Sequence, residues 1–233
     1  MRQEEIAGIR IVREQRKSIC LRVKRDGSAE LRAPHAVPER LLRAFLAEKE
    51  DWLARHCAAR LEEKAERERN LAARPTELPL LGKSCPVCTG PRAGVEEGRY
   101  LLPPGSFAEH LPALRRAVQQ LAAAYLPERT AELAAQFGYM APPVRVTLAA
   151  SRWGSCSAQN RICLSYKLIF ADPKAVDYVI LHELAHLRHK NHGAEFWAEV
   201  ERNMPDRRAA EKRLRELQRS LAAQGWDERE KSL

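Results

Sequence analysis

No stretch of this chain stays apolar for long enough to cross a membrane. Its longest uncharged, mostly apolar runs fall well short of the roughly 20 residues that a spanning helix needs. The N-terminus also lacks the apolar core of a signal peptide, so a cytoplasmic protein with no membrane partner is expected. Six cysteines, Cys20, Cys57, Cys85, Cys88, Cys156 and Cys163, are too sparse for a disulfide scaffold and are expected as thiols. Internal repeats and low-complexity tracts are missing, and so is a basic tail. The net charge of +9 is diffuse, with 18 basic against 13 acidic residues in 1–75, 7 against 6 in 76–150, and 15 against 12 in 151–233. Much of it reads as solvated helix face, such as Glu62 to Arg69, where both signs alternate. Nucleic acid is therefore a weakly supported partner, since diffuse positive charge gives only weak, salt-sensitive binding. What remains is a globular chain of 233 residues, long enough for one large or two small domains.

Read from the start, Ile6 to Val12, Ile19 to Val23 and Ala29 to Ala33 have strand patterning, with Asp26-Gly27 as a hairpin turn. Pro38 opens a long helical pattern through Leu42, Phe45, Leu46, Leu53 and Leu61 that fades into charge before Pro75. Pro75 to Gly82 reads as a linker into short strands near Lys83 to Val87, Arg92 to Val95 and Tyr100 to Leu102. Cys85-Pro86-Val87-Cys88 has no second pair at ribbon spacing and reads as two cysteines in a strand. A helical stretch follows from Phe107 to Gly138, with Pro112 and Pro127 as candidate breaks and Gly138 as C-cap. Val144 to Leu148 alternates as an edge strand does, and Arg161 to Ser165 could pair beside it, flanking the loop Ser151-Arg152-Trp153-Gly154-Ser155-Cys156-Ser157.

The chemistry sits in His182-Glu183-Leu184-Ala185-His186, on a helix opened by Asp172 as N-cap and Pro173 in its first turn. Histidines four apart project from one helix face and can hold one metal ion. The intervening glutamate can then act as general base toward the water that the ion activates. That is the pattern of a zinc hydrolase, with one Zn2+ per chain. A third ligand is required. His189 lies about 4.5 Å beyond His186 along a continuing helix axis, hard for a shared ion to reach. Asn191 and Gly193 bracket His192 and favour a helix end that swings it back, so His192 is the favoured ligand. His189 and a carboxylate such as Glu195 or Glu199 stay open as alternatives. In the loop before the helix, Arg152, Ser155 and Ser157 are candidate substrate or transition-state contacts that could stabilise an oxyanion. The same loop also reads as a Trp-anchored turn.

Arg152-Trp153-Gly154-Ser155-Cys156-Ser157, Tyr178, HELAHLRHKNH and Phe196-Trp197 resemble the YgjP-like zinc metallopeptidases, relatives of the SprT-like proteins. Arg16-Lys17-Ser18, Asp26-Gly27, Ala33-Pro34 and Glu48 to Trp52 are similar to that group as well. The resemblance implies zinc on His182, His186 and His192 with Glu183 as catalytic base. It also implies a zincin-like C-terminal domain behind an N-terminal α+β region. The expected organisation is therefore α+β, with residues 1–105 as a strand-and-helix region and 106–233 as the hydrolase domain. A peptidase acting on protein or peptide substrates is expected. The rivals are an SprT-like protease acting on DNA-bound proteins and a binding module with structural zinc. Beyond the site, Gly193 to Asn203 and a segment capped by Asp206 read as helices, Phe196 and Trp197 as core beneath the metal, and the tail after Gly225 as polar and frayed.

Overall fold

The structure, a computed structural model, describes residues 4–148 and 152–227. Among them are three small sheets and six α-helices, an α+β fold. The chain divides into two compact units, residues 1–69 and 70–233.

In the first unit, β1 (Glu4–Ile6), β2 (Ile9–Arg13), β3 (Cys20–Val23) and β4 (Ala29–Ala33) form one sheet in the order β1-β2-β4-β3. The strand expected over Ile6 to Val12 is two strands, because Ala7 and Gly8 take φ of 51° and 75° and turn the chain back on itself. The β3–β4 pair is antiparallel around Asp26-Gly27, as the turn residues imply. Helix α1 (Glu39–Glu48) lays Leu42 and Leu46, one turn apart, onto Ile6, Ile9, Ile11, Leu31 and Ala33. The helical pattern from Pro38 is interrupted at Lys49, whose ψ of 9° leaves the helical range before α2 (Glu50–Ala72) begins. No side chain of α2 is buried, in keeping with its charge on every face.

The second unit opens with β5 (Glu77–Leu80), β6 (Lys83–Thr89), β7 (Gly94–Glu96) and β8 (Arg99–Leu102), in the order β5-β6-β8-β7. Leu78, Tyr100 and Leu102 join the larger hydrophobic core, so these strands pack within the unit that begins at residue 70. The segment read as a linker is strand β5, paired with β6 through a turn at Leu81-Gly82, both at positive φ. That turn abuts the site helix: a Cβ on Gly82 would lie 2.6 Å from Asp172 Cα, and Leu81 N–H donates to Ile169 O at 2.7 Å. Cys85 and Cys88 lie on β6 as free thiols.

Helix α3 (Phe107–Gln136) runs unbroken through Pro112 and Pro127 and ends at Phe137, with Gly138 beyond it at φ 69°. Each proline removes one helical hydrogen bond. Leu111, Leu114, Val118, Leu126 and Leu133, all buried, supply the packing that keeps the helix whole. A third sheet joins β9 (Val144–Thr147), β10 (Gly154–Cys156) and β11 (Ile162–Ser165) in the order β10-β11-β9. The loop expected between two strands thus contains a strand of its own at the sheet edge. A 3-10 turn (Tyr166–Phe170) leads to α4 (Pro173–Ala185), whose start is capped by the Asp172 carboxylate accepting from Ala175 N–H at 3.2 Å. Helix α4 packs against α3, β10, α5 (Ala194–Asn203) and α6 (Arg207–Ala223), so its residues are buried nearly all round.

The end of the chain differs from the polar, frayed tail expected. Trp226 is 1% exposed and packs on Phe170 and Phe107 at ring distances of 4.6 and 6.0 Å. Asp227 accepts from the buried Lys167 ammonium at 2.6 Å, and that ammonium also stands 5.7 Å from the Trp153 ring. Ser151 and the tail beyond Asp227 lie outside the described residues.

Candidate metal centre and active site

Helix α4 ends at Ala185, one residue before the second histidine of the motif. Leu187 and Arg188 donate to Leu184 O and Ala185 O at 2.9 and 3.1 Å, and the chain then leaves the helix. The stop comes earlier than Asn191 and Gly193 suggest. His186 is the C-cap residue, and His189 and His192 sit on the loop that returns to α5.

This loop brings His192 to His182. Their Nε2 atoms stand 3.1 Å apart, and one ligand atom from each of His182, His186 and His192 lies within 4.8 Å of the others. The three rings form a triangle with centroids 5.1, 5.1 and 4.7 Å apart. Beneath them, the fully buried Phe196 ring contacts all three at 4.6 to 4.9 Å, and Trp197 stacks on His192 at 5.7 Å. The expected aromatic floor is therefore in place.

The donor set suits a zinc ion. Tetrahedral coordination with Zn–N of about 2.0–2.1 Å sets two nitrogens about 3.3 Å apart, close to the His182–His192 separation. Burial, then the neighbouring His186 and His192, push the His182 pKa down to about 4, and burial also lowers that of His186, so both rings are neutral near pH 7. His186 Nδ1–H donates to His189 O at 2.9 Å, which leaves the lone pair on Nε2. His182 Nδ1 is buried without a protein partner among the described residues.

Glu183 follows His182 in the chain and is 5% exposed. Burial pushes its pKa up to about 7, against the opposing charge of Arg152. Oε2 is buried with no hydrogen-bond donor among the described residues, an oxygen left open to accept a proton. The wall in front of it is the backbone of β10: a Cβ on Gly154 would lie 2.6 Å from Glu183 Oε1 and 2.8 Å from Cγ. The glycine is what the loop motif contributes most directly at this carboxyl.

The three loop candidates separate. Arg152 is exposed and acts on Glu183 through charge. Ser155 is the middle residue of β10, opposite Cys163 of β11. Ser157 builds the turn after β10: its hydroxyl accepts from Arg161 N–H at 3.2 Å, and its amide donates to Arg161 O at 2.9 Å. That hydroxyl thus takes part in its own turn.

The alternative ligands are likewise occupied. Glu199, on α5 and 5% exposed, accepts from His189 Nε2–H at 2.7 Å, from Arg188 at 2.6 Å and from the Tyr139 hydroxyl. Burial raises the pKa of this carboxyl, but the three donors outweigh it and hold the group below the usual range. Glu195 is exposed, 3.7 Å from His189 Nδ1. The sequence carries one signal for this cluster: Glu199 is three residues past Phe196, hence on the inward face of α5.

Two solved structures are similar to part of the chain. The metallopeptidase zymogen abylysin of Pyrococcus abyssi is 27% identical, over 38% of this chain and 88% of that one, with a TM-score of 0.33. The metallopeptidase zymogen jannalysin of Methanocaldococcus jannaschii is 21% identical, over 41% and 96%, with a TM-score of 0.35. No curated protein matches. The metallopeptidase domain of the YgjP-like family matches residues 17–217, most of the chain and every residue of the centre just described; the chain belongs to the YgjP-like metallopeptidase family.

Proposed function

We propose that this metallopeptidase is a zinc enzyme that hydrolyses peptide bonds, with His182, His186 and His192 as ligands and Glu183 as general base. The observation that carries the reading is the convergence of three imidazoles beside one buried carboxyl. Zinc held there would polarise a scissile carbonyl and lower the pKa of water to about 7. Glu183 accepts a proton from the attacking water and delivers it to the leaving amine nitrogen. A carboxyl whose burial holds its proton affinity near neutrality suits a group that takes and then returns a proton. Gly154 lets the β10 backbone approach that carboxyl and restrict its rotation, and Phe196 keeps water from the underside of the histidines. A purely structural zinc takes four protein ligands, whereas the cluster among the described residues offers three. The cysteines, all free thiols, support a reducing, cytoplasmic compartment.

Purified protein should contain about one zinc per chain. Glu183→Gln should keep that metal and lose casein cleavage by about 10²–10⁴-fold. Metal lost in Glu183→Gln, or kept in His182→Ala, would sink the assignment.

A further inference from the structure

The loop between the second and third histidines is held by a carboxylate that belongs to another helix. Glu199 takes the His189 ring on Oε2 and the Arg188 guanidinium on Oε1, at 2.7 and 2.6 Å. Arg188 is fixed a second time, donating to Gly138 O at 2.7 Å and lying 4.1 Å from the Tyr139 ring centroid. Two consecutive loop residues are thereby tied to α5 and to the end of α3.

What these ties secure is the backbone of His189. Its carbonyl accepts the Nδ1 proton of His186, which orients that ring and leaves Nε2 as the donor atom. Three residues on, the same loop presents His192 to His182. We propose that Glu199 is a positioning residue of the metal centre: through His189 and Arg188 it fixes the tautomer and orientation of His186 and the reach of His192. The proposal rests on the zinc reading above. It gives a role to two residues that compete for the third-ligand position on sequence alone, since His189 and Glu199 pair with each other and neither joins the three-histidine cluster among the described residues.

The test measures zinc affinity by competition with a chromophoric chelator, and the visible absorption of the Co2+-loaded protein, which reports ligand geometry and not turnover. Glu199→Ala should bind zinc about 10–100-fold more weakly and show a displaced, weaker cobalt spectrum. Glu199→Gln, which keeps an acceptor for Arg188, should recover part of both. His189→Phe keeps the backbone carbonyl and the ring volume while removing the link to Glu199, so it decides the matter should Glu199→Ala fail to fold. Leu126→Ala, a cavity in the α3 core, should lower the melting temperature and leave affinity and spectrum at wild-type values. Folded Glu199→Ala and His189→Phe with wild-type affinity and spectrum would overturn the positioning role alone. Wild-type protein that takes up no zinc would overturn the zinc reading beneath it.

Discussion

Gly154 and Glu183, 29 positions apart in the chain, meet so closely that a single methyl group on the glycine would stand 2.6 Å from the carboxylate oxygen. The strand that walls the centre and the helix that carries the base are in contact through an absent side chain.

Gly154→Ala should therefore displace Glu183 while leaving the histidines in place. We expect kcat/KM for a peptide substrate to fall about 100-fold, the scale of an ångström-sized misplacement of a catalytic group, with zinc content unaltered. Steady-state kinetics beside metal analysis checks this; full activity in the variant would refute the close contact.

The burial of Glu183 has a signature in metal-free protein. Its folded pKa of about 7 exceeds the ordinary glutamate value of 4.5, so between these limits the folded state binds more protons than the unfolded state. Stability from this group is present below pH 4.5 and lost as pH rises through 7. Glu183→Gln should match wild type at pH 4.5 and exceed it by on the order of 2–3 kcal/mol at pH 8. The opposite slope from His182, whose folded pKa is depressed to about 4, is common to both proteins and drops out of the difference. Urea unfolding of the chelated proteins across that range measures it.

Arg152 is the cation that opposes burial at Glu183. Arg152→Ala should raise the pKa of the base further, so the acidic limb of the kcat/KM profile moves to higher pH and activity at pH 6 falls more than activity at pH 8. A profile that shifts to lower pH would contradict this arrangement.

Much of the centre could be read from the chain because it is local. Asp172-Pro173 starts the helix, periodicity places His182 and His186 on one side of it, and the loop returns His192 as its flanking residues suggest. The helix ends several residues before Asn191 and Gly193. Nothing between Ala185 and Lys190 is a helix breaker; what holds the chain off the helical path is the grip of Glu199 and Gly138 on Arg188 and His189, side-chain contacts made across α3 and α5. Gly154 escaped for the same reason, since its neighbour is 29 residues away. Composition brings Ser157 into the candidate loop, and its hydrogen bond from Arg161 N–H, made within the turn after β10, is a contact composition does not show. Trp226 sits in a tail rich in charge, and only the pocket formed by Phe107 and Phe170 makes it core.

The Lys167–Asp227 pair is the polar counterpart of that buried tryptophan. Lys167 is 2% exposed, so Asp227→Asn removes the carboxylate facing a desolvated ammonium and should cost about 3 kcal/mol. The double variant Lys167→Met with Asp227→Asn should be less destabilised than Asp227→Asn alone, as thermal unfolding would reveal.

All three histidines lie within eleven consecutive residues, 182 to 192, and Phe196 beneath them is only four further on. Closing so short a loop carries a small entropic cost, whereas bringing Gly154 against Glu183 requires the edge strand and the site helix to dock. The three proposed ligands are thus neighbours in sequence that side-chain ties to α3 and α5 hold in place, whereas the base is completed only where β10 docks on α4. A change that loosens β10 alone should therefore separate zinc binding from turnover.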